Sequence, residues 1–378
     1  MNQFWTRRWP VGLAVLAVLL LSVSGCAGGA AQPTSWMGLT IVGERLYAAD
    51  LEQVVALNVA DGEPLWAFPD DPQEEKRGVF HVTPAVSGGY VIVASQMPGS
   101  GFLSQPSNVV WALDADTGRK LWRFDGAAGQ YIEGGSTSDG VFVIGNSDGN
   151  VYALDVESGT LRWTFETGHR VWATPLIVSD IVYIGSMDRH LYALRLSDGE
   201  ELWRFHAEGE GAFAGTPALR DDTLYIGAFD DWLYAVDAHT GTERWRFAGE
   251  NWFWGSPAVY SDTVYAADVN GNVYAVHADT GELIWRQPLD TAVRAGPALT
   301  EDGSTLFVGS QSGTLYALDS ADGFVLWQRA SEEGQLLSSS VVSGSLVYEP
   351  LLYGPYRIWA LHVDNGREMW TYPRVVEE

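Results

Sequence analysis

The sequence has a single cysteine, Cys26, so no intrachain disulfide can form and any extracytoplasmic fold must be held by core packing alone. It also lacks a hydrophobic run of spanning length: the apolar segment from Val11 to Leu21 is about eleven residues, against the ~20 that a helix needs to cross a bilayer. Positive charge is scarce, with 22 Lys and Arg against 48 Asp and Glu and a formal net charge of −26. Such a surface repels nucleic acid and anionic lipid headgroups, and it favours solubility and basic or cationic partners. A catalytic signature, H-E-x-x-H, is missing as well. The seven histidines are scattered, and His239, His277 and His362 fall inside repeated turns.

Arg7 and Arg8 followed by the short apolar run read as a signal peptide. The stretch Val23-Ser24-Gly25-Cys26 resembles a bacterial lipobox, which implies lipidation of Cys26 and cleavage before it. The expected organisation is a signal peptide over 1–25, a lipidated linker over 26–35 and a folded domain over 36–378. Removal of the signal takes the net charge from −26 to −28, because residues 1–25 hold two arginines and no acid. Ala27, rather than Asp, follows the cysteine, which in a two-membrane bacterium permits transfer to the outer membrane.

Self-similarity dominates the remainder. Eight segments share the pattern A-[LV]-x-x-x-x-G-x-x-x-W, closing at Trp66, Trp122, Trp163, Trp203, Trp245, Trp285, Trp327 and Trp370. Successive tryptophans are 56, 41, 40, 42, 40, 42 and 43 residues apart, the period of one four-stranded propeller blade. In one repeat the strands are expected at Leu176 to Val178, Ile181 to Gly185, Leu191 to Arg195 and Glu201 to Phe205, here called A to D. The glycine supplies the positive φ of the C–D turn, and each tryptophan is expected to cover a neighbouring blade. The fold class is therefore all-β, an eight-bladed propeller of four-stranded antiparallel blades, expected as a monomer. Trp370 is expected to close the ring by packing, with no strand exchanged between the first and last blades.

These repeats resemble those of the pyrroloquinoline quinone propeller superfamily, which includes quinoprotein alcohol dehydrogenases and the BamB outer-membrane assembly lipoproteins. The resemblance runs from about Trp36 to Tyr372. A dehydrogenase of this kind implies calcium, a catalytic aspartate and commonly a cysteine pair. The cysteine pair is missing, as are the long inter-blade insertions of the larger enzymes, so no catalytic residue, no metal and no pyrroloquinoline quinone are expected. The sequences SDGN (Ser147 to Asn150) and VNGN (Val269 to Asn272) read as two-residue hairpin turns rather than calcium loops.

A site is sought where the repeat is broken. The C–D turns occupy one face, so variation among the D–A connections and B–C loops on the other is informative. Aligning the starts of the A strands puts Trp36, His81, Tyr131, Trp172, Ala214, Trp254, Arg294 and Leu336 at the mouth of the central channel. Four of the eight are aromatic, which suits a planar or peptide-like ligand. MDRH (Met187 to His190, with Asp188 and Arg189) and FDDW (Phe229 to Trp232, with Asp230 and Asp231) replace the usual turn. With Arg170, Trp172, Phe213, Trp252, Phe253 and Trp254 they are expected to form an aromatic and charged patch on blades 4 to 6. The insertion Ser95 to Asn108 in blade 2 is expected to be a mobile loop, and EPLLYGPY (Glu349 to Tyr356) in blade 8 to expose apolar side chains.

Two readings follow. One is a non-catalytic, lipid-anchored scaffold of the bacterial envelope that engages a protein partner, with outer-membrane protein assembly implied by the BamB resemblance. The other is a small-molecule or quinone sensor using the aromatic mouth, which predicts ligand-dependent tryptophan fluorescence.

Overall fold

The computed structural model describes residues 37–70, 78–80, 82–97, 106–209, 211–354 and 357–374. The signal peptide, Cys26, the linker 26–35, Trp36, His81 and residues 98–105 of the blade 2 insertion lie outside the described residues. The chain divides at 34/35, and the unit Ser35–Glu378 is an eight-bladed β-propeller. No helix among the described residues is long and apolar enough to cross a membrane.

Each blade is a contiguous antiparallel sheet in the order A-B-C-D. Blade 4 has strands Leu176–Val178, Ile181–Gly185, His190–Arg195 and Glu201–His206, within one residue of the sequence expectation. The middle strands B and C are largely apolar and buried through their central residues because both of their faces meet neighbouring blades. Thus Val141–Gly145 of blade 3 is buried at every position, whereas its outer strand Leu161–Glu166 alternates between exposed and covered residues. Every C–D pair contains a bulge just after the repeat alanine, as between Ala153 and Leu154, which sets the tryptophan two residues further on toward the next blade.

That tryptophan is the unit of assembly. All eight indole N–H groups donate to a backbone carbonyl in the C–D turn of the following blade, from Trp66 to Ala115 around to Trp327 and Val363, at 2.7–3.1 Å. Each ring lies on the turn glycine of that blade. The eight glycines have φ between 63° and 77°, and a Cβ on any of them would sit 2.5–2.7 Å from an indole carbon. Glycine is thus required twice, for the backbone conformation and for the space.

Trp370 donates to Val59 and rests on Gly62, so the eighth blade docks on the first by the same contact as every other pair. Leu39, Leu46 and Leu57 share a core with Tyr348, Ile358 and Trp370, and no strand is exchanged.

Blade 2 departs from the expected four strands. Its B and C strands are eight residues long, Tyr90–Met97 and Ser107–Asp114, and a short additional strand, Val79–Phe80, pairs with the extended end of B. The ends of the insertion are therefore ordered hairpin: Ser95, Gln96 and Met97 face Val109, Asn108 and Ser107 in register. In blade 8, Glu349 and Leu351 are buried at 0% and 1% exposure rather than displayed, while Tyr353 is exposed.

Candidate functional site on the loop face

The loop face is built by interlocking two loops per blade junction. The amide that opens each B–C loop donates to a D–A connection: Met187 to Arg170, Phe229 to Ala212 and Val269 to Trp252, at 2.9–3.0 Å. In return, amides of the D–A connections reach B–C carbonyls, Val171 to Asn146, Phe213 to Ser186 and Phe253 to Ala228. A residue that donates in this second way is pinned in the core between two blades. Phe213 and Phe253, at 0% and 1% exposure, are therefore not part of a surface patch; they pack on Tyr234 and Tyr274.

The same register corrects the channel mouth. The A-strand pairings align Leu176, Ala218, Ala258 and Ala298 with Ser136 in blade 3 and Val341 in blade 8. Tyr131 and Leu336 then fall at the pinned core position, one residue before the mouth, and are buried at 4% and 0%. Ile132 and Leu337 take the mouth positions instead. Blades 3 and 8, like blade 1, lack the proline that stands just before the A strand in blades 2 and 4 to 7, as at Pro84 and Pro297. Of the expected mouth residues, Ala214, Trp254 and Arg294 line the central cavity, and Trp172 packs against Trp254.

MDRH and FDDW form the same turn as their neighbours. Arg189 and Asp231 have φ of 74° and 70° where the other loops use Gly149, Gly271 and Gly313 near 90°. Asp188 is consumed by the loop, accepting from the Tyr192 hydroxyl at 2.7 Å, the Gly168 amide at 2.6 Å and the His190 amide at 3.0 Å. Burial alone would raise its pKa, but these donors outweigh it and hold the carboxyl below its ordinary range. Asp230 likewise accepts from Tyr234, at 2.8 Å. Asp231 differs: burial first, then the charges of Asp230 and Asp268, push its pKa up. His190 stacks beside His206 with ring centroids 4.7 Å apart, Trp232 lies beneath the Arg246 guanidinium at 4.9 Å, and Arg170 is exposed.

What the structure brings together is a row of aromatic rings on blades 4 to 6. Trp252, 45% exposed, stacks on Phe229 with centroids 5.2 Å apart and an interplanar angle of 18°. Phe229 meets Trp254 at 4.9 Å, Trp254 meets Trp172 at 6.4 Å, and the Arg294 guanidinium lies over Trp254 at 5.3 Å. The row runs from the solvent-exposed Trp252 to the axial cavity. The Trp172 indole N–H is buried without an acceptor among the described residues. Sequence reasoning had set Phe229 inside the altered loop but had not recognised it as the link between Trp252 and Trp254.

The central cavity, about 260 Å³, is ringed by backbone and small polar side chains from every blade junction. Glu133 is its one carboxylate, and among the described residues no group of three or more His, Cys, Asp or Glu is placed to hold a metal ion. Calcium takes about six to eight oxygen ligands, usually several of them carboxylates, so this donor set does not fit the calcium and quinone of a dehydrogenase.

Tryptophan-docked blades, a closed ring and a variable loop face define a propeller of the pyrroloquinoline quinone repeat class. Within that class the chain belongs to the family described as outer membrane protein assembly factor BamB, whose sequence profile matches residues 106–228, 197–271 and 269–378. It is 35% identical over 79 residues to the BamB of Shewanella oneidensis, covering 21% of this chain and 19% of that protein. It is 24% identical over 197 residues to a quinohemoprotein alcohol dehydrogenase, ADH-IIG, of Pseudomonas putida, covering 46% of this chain and 26% of the enzyme. The matched segments thus span well under half the length of these curated relatives. The crystal structure of BamB from Moraxella catarrhalis superimposes with a TM-score of 0.70 at 22% identity, over 83% of this chain and 90% of the other. The crystal structure of a computationally designed protein, Ika8, superimposes as well, with a TM-score of 0.71 at 16% identity, over 88% of this chain and 98% of the design, so the likeness in shape carries the fold alone.

Proposed function

We propose that this protein is a non-catalytic scaffold of the bacterial cell envelope, anchored through lipid on Cys26, whose loop face docks a protein partner in outer-membrane protein assembly. The observation that carries the reading is the Trp252–Phe229–Trp254–Trp172 row. Aromatic side chains that remain accessible on a rigid, hydrogen-bonded loop platform are the usual anchors of protein interfaces, and the acidic surroundings select a partner with basic flanks. Family membership supports the assembly role, and the proposal includes no quinone cofactor.

A photoreactive residue at position 252 tests this in intact envelopes. The expected result is an adduct with a component of the outer-membrane assembly machinery, identified by mass spectrometry, and no such adduct from the same probe at Glu157 in the C–D turn of blade 3. Equal labelling from both faces, or none from position 252, would overturn it. Titration with pyrroloquinoline quinone and calcium is expected to give no saturable binding.

A further inference from the structure

Two of the chain's seven histidines meet at a single place in blade 4. His190 opens the C strand and His206 closes the D strand, directly opposite it in the ladder. The same pair of positions is Asn150 and Glu166 in blade 3, Trp232 and Ala248 in blade 5, Asn272 and Pro288 in blade 6, and Thr314 and Ala330 in blade 7. The fold therefore does not require an imidazole at either position, and blade 4 departs from the repeat at both together. Directly opposed residues on antiparallel strands project to the same face of the sheet, which is why the two rings meet. His206 is exposed and His190 partly so, at the loop-face edge of the blade.

The rings are arranged much as two ligands of one ion would be. Their centroids are 4.7 Å apart, with 39° between the planes. A metal about 2.1 Å from one nitrogen of each of two imidazoles, at the tetrahedral angle, sets ring centres roughly 5 Å apart, so little movement is needed to share an ion. The tautomer is set as well. His190 Nδ1 lies 3.1 Å from the Asp188 carbonyl oxygen and 3.3 Å from Asp188 Oδ1. Both oxygens are acceptors, so the hydrogen of the neutral ring sits on Nδ1 and the Nε2 lone pair is left as the ligand. A carbonyl or carboxylate behind the ring is the usual support of a metal-binding histidine. Arg204, two residues from His206 on the same strand, lies over Tyr192 and donates to both carboxylate oxygens of Glu201 at 2.7 and 2.8 Å, so its charge is matched.

We propose that His190 and His206 form a site for a divalent transition cation of the zinc and copper kind, bound through one nitrogen of each ring. Imidazole suits these ions, whereas calcium and magnesium take oxygen ligands. Among the described residues no third His, Cys, Asp or Glu completes a cluster with them, so the remaining coordination positions are held by water and the ion binds reversibly. The net charge of −26 raises the local concentration of cations at the surface. The site shares no residue with the aromatic row and does not rest on the docking reading.

The test is titration calorimetry of the full chain, without a histidine tag, using zinc chloride and copper(II) chloride with magnesium chloride as the control. A single saturable site per chain is expected for zinc, a tighter one for copper in keeping with the order of affinities for nitrogen ligands, and none for magnesium. His206→Asn and His190→Asn are each expected to keep the melting temperature of the metal-free protein and to weaken both ions by roughly tenfold or more. Electron spin-echo spectra of the bound copper are expected to show two imidazoles. Acidification from about pH 7.5 to about pH 5 is expected to release the ion, because a protonated imidazole is no ligand. No saturable binding of either transition ion overturns the proposal. So does binding that survives either substitution, a copper spectrum with a single imidazole, or magnesium binding as tight as zinc.

Discussion

On the C–D face all eight blades repeat one side-chain contact, and on the loop face the side chains differ from blade to blade. The first face repeats one contact, an indole on a glycine with its N–H on a carbonyl, and the repetition is what closes the ring. On the second face the backbone exchange between loops is kept while the side chains diverge. The difference separates what the fold requires from what it merely permits, and residues of the second kind are the ones open to function.

The largest effect is expected on the uniform face. Trp370→Ala removes a large buried ring, the hydrogen bond to Val59 and the cover over Gly62. Substitutions of this size cost about 3–5 kcal/mol. If the eight contacts are equivalent, Trp163→Ala in the middle of the chain lowers the urea midpoint by the same amount, since Trp163 makes the same bond to Leu196. A much smaller loss for Trp370→Ala would mean that the junction between first and last blades is held by something else and would break the equivalence.

Glu349 gives the next effect. It occupies a position that is Ile144, Ile184, Ile226 and Val308 in other blades and is fully buried. Ser340 donates to Oε2, while Oε1 has no partner among the described residues. Burial raises its pKa to about 8, with the Ser340 bond opposing. Because the folded value exceeds the unfolded value of 4.5, the native state holds the proton more tightly. The contribution to stability is then complete below about pH 4.5 and is lost as pH rises toward 8, by an amount on the order of a few kcal/mol. Glu349→Val is expected to melt higher than the parent at pH 8, with the gap shrinking toward pH 5. A gap independent of pH would mean that the carboxyl is not the source.

The two faces were also unequally legible in the sequence. Period, glycine and tryptophan placed the strands of blade 4 to within a residue, because a contact repeated eight times leaves eight copies of its signature. The loop face has no such redundancy. Blades 3 and 8 have no proline before the A strand to mark its start, so the sequence alone sets them one position off the register of the structure. The sequence alone therefore puts Tyr131 at the mouth, and the departure of Glu133 from the repeat shows only in the true register. Phe213 and Phe253 are buried for a related reason: each is fixed by a backbone hydrogen bond between loops, which no side-chain pattern reports. The strand Val79–Phe80 is two residues long and pairs with an extension unique to blade 2, so no other copy could reveal it.

The smallest effect tests whether the loop face stores strain. Asp231 holds a left-handed conformation that blades 3, 6 and 7 assign to Gly149, Gly271 and Gly313, with its carboxyl close enough to Asp230 and Asp268 to be shifted by their charges. An L-residue other than glycine pays roughly 1 kcal/mol there, so Asp231→Gly is expected to raise the unfolding free energy by about that amount. The gain should persist in high salt, because the backbone term is not electrostatic, whereas any part due to the three carboxylates should shrink. If the strain is retained for docking, the stabilised variant will crosslink less from position 252 than the parent does. A variant that is more stable and crosslinks equally well would assign the aspartate to drift and leave the aromatic row as the sole determinant of the docking face.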